Sequence, residues 1–284
     1  MITVRGLDFT YHGAARPALR SLDFQVDQGE IFGFLGPSGA GKSTTQRILT
    51  GLLAPYTGQV RVFDRELSDW DQSFYERIGV SFELPNHFLK LTARENLSYF
   101  GALYRSPAGD LSALLDQVGL GQDIDTRVGE FSKGMMTRLG VARALLHDPE
   151  LLFMDEPTAG LDPVTARLVK QLIRQQRDQG KTIFLTTHDM AAVDELCDRV
   201  AFIVDGEINV IDQPRALKLR FGSKRVRVEY GSENPGHSRE FELDGLGANG
   251  DFLQLLQQNQ IQTIHTLEAS LDDVFVQVTG ASLS

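Results

Sequence analysis

One cysteine, Cys197, is the only thiol among 284 residues. No internal disulfide can form, which fits a reducing compartment. Basic charge is also short: 38 Asp and Glu outnumber 28 Lys and Arg, for a formal net charge of −10. Non-specific nucleic-acid binding relies on Lys and Arg neutralising phosphates, so nucleic acid is not an expected partner. The same balance argues against purely electrostatic adhesion to anionic lipid. No apolar run approaches the roughly 20 residues a spanning helix needs, so work at a membrane requires another chain to cross it. The opening "MITVRGLDFTYHG" has no charged start followed by an apolar core, and no secretory leader is expected. Internal repeats and low-complexity tracts are missing as well.

What is present suffices for a packed interior. Hydrophobic residues make up 42% and charged ones 23%, which argues against global disorder. The length suits one large or two modest domains. Ile2 and Val4, then Leu22, Phe24 and Val26, alternate as strands with one buried face do. "IFGFLG" (31–36) reads as a buried strand entering a Gly-rich turn, "KSTTQRILTGLL" as a helix, and Val60 with Val62 as a further strand. Residues 86–149 are mainly helical in pattern, clearest in "ENLSYFGALY", "LSALLDQVGL" and "MMTRLGVARALL". From 151, strand and helix alternate through "LLFMD", "PVTARLVKQLIRQQRDQ", "TIFLTTH", "MAAVDELCD" and "VAFIV". Asp205-Gly206 ahead of "EINVI" predicts a hairpin turn. After about residue 222 the texture changes, and 224–284 reads as a small separate α/β module. Two strands flank a loop rich in Gly, Ser, Asn and Pro; a helix (251–259), a strand (261–267) and a last helix (271–278) follow. Ser270 and Asp273 have the spacing of a capping box for that helix.

"GPSGAGKST" (36–44) carries G-x-x-x-x-G-K-[ST] between a strand and a helix. Its glycines let backbone N–H groups converge on an anion, and the helix start adds partial positive charge. The run Gly36, Pro37, Ser38, Gly39, Ala40, Gly41, Lys42, Ser43 and Thr44 is the expected phosphate cradle. Lys42 would contact the β- and γ-phosphates, and the Ser43 hydroxyl a Mg²⁺ ion. A purely structural Gly-rich turn explains the glycines but not this setting. Such a loop alone leaves kinases, GTPases and ATPases open; no guanine-reading N-K-x-D occurs. "LLFMDEP" (151–157) ends an apolar strand with two carboxylates, where ligands collect in doubly wound sheets. Asp155 suits a Mg²⁺ partner and Glu156 a general base. "FLTTHD" (184–189) ends another buried strand with His188, placed to contact a γ-phosphate and orient water.

The ordered set of phosphate loop, "FSKGM" (131–135), "LLFMDEP", "AGLD" (159–162) and "TTHD" resembles the ATP-binding subunits of ABC transporters over residues 1 to about 217. A small-molecule kinase would not explain "FSKGM". The resemblance implies an α/β fold: a RecA-like P-loop core (1–217), a helical subdomain inserted at about 86–149, and the C-terminal module (224–284), which resembles that of drug-export ABC-2 subunits. It implies ATP and Mg²⁺ as cofactors, and a second ATPase subunit packed head to tail, with a homodimer expected. It also implies an integral-membrane permease, which would hold the chain on the cytoplasmic face of the cell membrane and use it for export. Ser132 and Gly134 would complete the γ-phosphate site of the second subunit. Asp162 would cross the dimer interface, N-cap the following helix, or both. Tyr11 resembles the aromatic residue that stacks on adenine.

Four positions depart from the family pattern. Phe131, Lys133 and Met135 replace Leu, Gly and Gln of the L-S-G-G-Q signature. Lys133 either adds positive charge beside the anionic ligand or points to solvent. In "IGVSFELPN" (78–86), Glu83 stands where the family carries a Gln that touches Mg²⁺, and retained hydrolysis with altered metal dependence is expected. Beside it, Phe88 and Leu89 are either subdomain core or an exposed patch for a permease helix. The alternative function is an ATP-driven switch acting on a soluble partner. Such proteins often carry long insertions or paired cassettes, and neither is seen.

Overall fold

The computed structural model describes residues 1–83, 86–105, 109–222, 224–231, 237–267 and 269–281. Leu84 and Pro85 of the segment that carries Glu83, and residues 232–236 of the loop rich in Gly, Ser, Asn and Pro, lie outside them. The chain divides into two compact units, one built on Met1–Pro214 and the other on Arg215–Gly280.

The first unit opens with β1 (Ile2–Phe9) and β2 (Leu19–Val26), an antiparallel pair whose alternate residues are buried. Next come β3 (Ile31–Leu35), the phosphate loop, α1 (Lys42–Leu49), β4 (Thr57–Val62), β5 (Arg65–Glu66) and β6 (Ile78–Ser81). Helices α2 (Ala93–Gly101), α3 (Leu111–Gln117) and α4 (Lys133–Leu145) occupy the predominantly helical stretch. Their starts are fixed by short polar side chains that satisfy orphan N–H groups. Thr92 and Glu95 form a reciprocal capping box on α2, Asp110 caps α3 and Ser132 caps α4. Then β7 (Leu151–Asp155), α5 (Pro163–Asp178), β8 (Thr182–Thr187), α6 (Met190–Leu196), β9 (Arg199–Val204) and β10 (Glu207–Asp212) complete the unit.

Two sheets result. One has the order β2-β1-β4-β5; the other runs β10-β9-β3-β8-β7-β6. In the second, β9, β3, β8, β7 and β6 are parallel, and β10 folds back on β9. That hairpin turns at Asp205 and Gly206, both left-handed at φ 50° and 81°, as a type I′ turn demands. Strands β3, β7 and β8 are buried along their whole length, which is why none shows the polar–apolar alternation of a half-exposed strand. Between the sheets lies a cluster of rings: Phe24, Phe32, Phe34, Phe153 and Phe184. Strand β6 had no sequence signature, because its four residues are too few to show a period. A Cβ on its Gly79 would fall 2.1 Å from the Ala144 carbonyl oxygen, so glycine is what admits α4 against the sheet edge. Buried Cys197 packs as core filler, its Sγ close to the Gly33 backbone, and burial raises its pKa.

The second unit contains α7 (Pro214–Phe221), most of which groups with it, then β11 (Arg225–Tyr230), β12 (His237–Glu242), α8 (Gly250–Gln258), β13 (Ile261–Leu267) and α9 (Leu271–Thr279). Its antiparallel sheet has the order β12-β11-β13. Val226, Val228, Phe241, Phe252 and Leu255 form its core. Ser270 and Asp273 cap α9 reciprocally. Among the described residues no helix is long and apolar enough to cross a membrane.

Phe184 is completely buried, with ring centroids of Phe34, Phe153, Phe32 and Phe24 at 5.4, 5.8, 6.1 and 6.2 Å. Phe184→Ala is expected to destabilise the first unit by about 3–5 kcal/mol. Urea unfolding of the full chain measures it, and a midpoint unchanged from the parent would refute that placement of the core.

Candidate functional site

Residues 36–41 leave the buried strand β3 and wrap into the start of α1. Gly39 and Gly41 take left-handed φ of 80° and 110°. A Cβ on Gly36 would lie 2.1 Å from the Ile203 carbonyl oxygen, so only glycine fits against β9. The β9–β10 turn clips the loop from behind: Gly206 N–H donates to the Ala40 carbonyl at 3.0 Å, while Arg20 N–H donates to the Gly206 carbonyl at 2.8 Å. Lys42 is buried, and its ammonium donates to the carbonyls of Gly36 (2.6 Å) and Pro37 (3.0 Å). Burial lowers the Lys42 pKa, against the upward pull of the Glu156, Asp155 and Glu83 carboxylates.

Those carboxylates face the loop across a pocket of about 350 Å³. Ser38, Gly39, Gly41, Lys42, Ser43 and Thr44 line one side; Glu83, Asp155, Glu156 and His188 line the rest. One oxygen of Asp155 accepts from the Ser43 hydroxyl at 3.3 Å, and the other is held by the hydroxyl of Thr186. Glu156 is buried with a left-handed backbone, φ 48°, which costs a non-glycine residue about 1 kcal/mol or more. The conformation is fixed by Glu156 N–H donating to the Thr186 carbonyl at 2.9 Å. It sends the Glu156 carboxylate to Thr187, whose hydroxyl donates at 2.9 Å, and to His188 Nδ1 at 2.7 Å. With Nδ1–H turned to Glu156, His188 keeps Nε2 for other work, on a side chain more than half exposed.

The donor set suits Mg²⁺. A hydroxyl and a carboxylate stand together, with a second carboxylate on the same pocket, and all are hard oxygen ligands. No thiol or thioether lines the pocket, so softer metals gain no preference.

Tyr11 stands beside the pocket. Its hydroxyl is 3.0 Å from Thr44 Oγ1, and its ring meets the Phe9 ring edge-on at 4.9 Å. Ser132, Gly134 and Asp162 do not line the pocket. Ser132 Oγ accepts from Met135 N–H at 3.2 Å as the cap of α4. Gly134 lies in the first turn of α4 against the Leu161 side chain. Asp162 caps α5, accepting from Val164 and Thr165 N–H at 3.0 and 3.1 Å; hydrogen bonds from Thr165 and Val164 lower its pKa. The Lys133 side chain lies over Gly160, so it turns along the 159–162 loop. Phe88 and Leu89 are 44% and 55% exposed, which favours the patch over the core. Phe88 packs on Tyr99 and Phe100 beside a cavity of about 470 Å³, and Asn96 pins the loop by bonding both the N–H and the carbonyl of Phe88.

Sequence reasoning missed Thr186, Thr187 and Gln46 as parts of the site. The available signal was polarity where none was needed: two hydroxyls in a wholly buried strand, and an amide on the buried face of α1. Gly36→Ala is expected to overpack the Ile203 contact by about 1–3 kcal/mol and to weaken ATP binding. Thermal unfolding and titration with a fluorescent ATP analogue measure the two effects; parent values in both would show that the hairpin yields.

Residues 19–159 match the ABC transporter family, and residues 224–268 match the fluoroquinolone efflux ABC transporter C-terminal domain. The fluoroquinolones export ATP-binding protein of Mycobacterium tuberculosis is 56% identical over 285 residues, covering 100% of this chain and 95% of the relative. The bacitracin transport ATP-binding protein of Bacillus licheniformis is 34% identical over 300 residues, covering 98% and 97%. Among solved structures, an ATP-binding cassette in a dimeric, post-hydrolysis state with ADP and phosphate matches with a TM-score of 0.68 at 27% identity, over 75% of this chain and 98% of that one. The phosphate loop, the paired carboxylates and this whole-length likeness lead to one conclusion: the chain belongs to the ATP-hydrolysing, ATP-binding subunits of ABC transporters.

Proposed function

We propose that two copies of this chain close head to tail around two ATP molecules and drive export through a separate membrane permease that holds them on the cytoplasmic face. The observation that carries this reading is Glu156. Its buried carboxylate, fixed by Thr187 and His188, faces the phosphate loop across one pocket. Backbone N–H groups of residues 36–44 bind the phosphates, and Lys42 exchanges its two carbonyls for phosphate oxygens. Ser43 and Asp155 would hold Mg²⁺, with Glu83 as a further oxygen donor, and the ion bound there would supply positive charge against the negative charge of the triphosphate. Glu156 orients the attacking water and takes its proton. His188 keeps Glu156 aimed through Nδ1 and meets the γ-phosphate through Nε2.

Tyr11, at the side of the loop, stacks on adenine. Ser132 and Gly134 present the start of α4 to the γ-phosphate of the other subunit, with Asp162 beside them. The dimeric state of the solved cassette supports this pairing. ATP drives closure because it binds the closed pair more tightly than the open one. The Phe88–Leu89 patch and its neighbouring cavity receive a short permease helix. The cargo belongs to the fluoroquinolone class, as the 56% identical relative and the match of the second unit support.

Glu156→Gln keeps the side-chain shape and removes the base. Phosphate release is expected to fall at least about 100-fold, with an ATP-bound dimer accumulating on size-exclusion chromatography. A variant that binds ATP yet elutes only as monomer would count against the closed pair. Replacing Phe88 and Leu89 together by Asp is expected to leave ATP binding intact and to abolish co-purification of a polytopic membrane protein. Undiminished co-purification would move the docking surface elsewhere.

A further inference from the structure

Gln46 is a buried amide. It sits on α1 at 1% exposure, three residues after Ser43. Its Oε1 lies 3.3 Å from Thr186 Oγ1, and its Nε2 is buried with no hydrogen-bond partner among the described residues. An orphaned buried N–H group is among the rarer and costlier defects in a folded protein.

Thr186 resolves the problem. Its hydroxyl is fully buried and has one proton to give. The carboxylate of Asp155 is the close acceptor; the Met154 carbonyl, at 3.5 Å, is a distant one. An ionised acceptor takes the proton in preference to a neutral one. Thr186 then has nothing left to donate to an amide oxygen. It can only accept.

We propose that Gln46 turns its amide nitrogen, not its oxygen, to Thr186, and is thereby a positioning residue for Asp155. The chain of bonds runs from Gln46 N–H to Thr186 Oγ1, and from Thr186 O–H to Asp155 Oδ1. A half-turn of the amide exchanges N and O at no change in volume. The orphaned donor gains a partner, and the less demanding carbonyl is left under-satisfied. Each bond polarises the next, so the Thr186 proton is pressed harder onto Asp155. With Oδ1 fixed, Oδ2 is committed to face Ser43, 3.3 Å away. Gln46, Ser43, Glu83 and Asp155 also border one cavity of about 430 Å³, so the aim of this carboxylate bears directly on the cation's place. The inference rests on the reading of Asp155 as a Mg²⁺-holding residue.

The test uses the full-length chain. Gln46→Met conserves volume and removes the amide. The Mg²⁺ concentration giving half-maximal ATP hydrolysis is expected to rise about tenfold or more, with the KM for ATP at saturating Mg²⁺ near the parent value. Thr186→Val should act the same way, and the double variant should be no worse than Thr186→Val alone. Without metal or nucleotide, the side-chain amide NMR signal of Gln46, identified by its loss in Gln46→Met, should be protected from solvent exchange. It should shift in Thr186→Val. Identical Mg²⁺ titrations for the parent and Gln46→Met, effects that multiply in the double variant, or an amide signal indifferent to Thr186→Val would each overturn the proposal. Asp155→Asn separates the two readings: if it leaves the Mg²⁺ dependence unchanged, Asp155 is not the cation's ligand, and the amide signal alone then decides the orientation of Gln46.

Discussion

Two carboxylates end one buried strand, and like charges that close must each find a partner of their own. The parallel register of β7 on β8 sets Asp155 opposite Thr186. Successive residues of a strand face opposite sides, so Thr186 serves Asp155 and Thr187 serves Glu156. The left-handed backbone at Glu156 completes the separation, swinging its carboxylate to His188 while Asp155 stays with Ser43. Two carboxylates adjacent in sequence are thus held by different partners and point to different places. The sheet order, with β3 and β7 flanking β8, brings this arrangement opposite the phosphate loop.

Much of that was legible before any coordinates. The phosphate loop, Asp155, Glu156 and His188 sit in short contiguous motifs at strand ends, where type and neighbourhood are read together. Asp162 and the Ser270–Asp273 pair were legible as helix starts, because an N-cap is decided within three residues. The silent parts are those whose meaning is tertiary. Strand β6 is too short to show a period, and its Gly79 makes sense only against α4. Thr186, Thr187 and Gln46 look like ordinary strand and helix residues until register and burial bring them to the carboxylates. At the unit boundary, composition changes after α7, but packing changes before it: Gly222, at the end of α7, lies against Ala269 of the second unit.

The helical stretch shows how one polar residue can organise an apolar surface. Asn96 is almost fully buried and gives its side chain to the backbone of Phe88 on both sides. The loop is therefore rigid where its side chains are exposed. Phe88, Leu89 and Tyr99 are among the large apolar side chains left exposed, and the Phe88 ring meets the Tyr99 ring edge-on. Its neighbour Glu83 belongs to the nucleotide pocket, so the same short connection touches both surfaces.

The clip behind the phosphate loop has a thermodynamic consequence. Loops that wrap an anion are often floppy until it arrives, and ordering them subtracts from the affinity. Here the turn at Asp205–Gly206 bonds to Ala40 on one side and Arg20 on the other, and Gly36 rests against Ile203. The conformational entropy of the cradle is surrendered when the chain folds. A ligand that fits the cradle meets a shape already made, and less of its binding free energy is lost to ordering the loop.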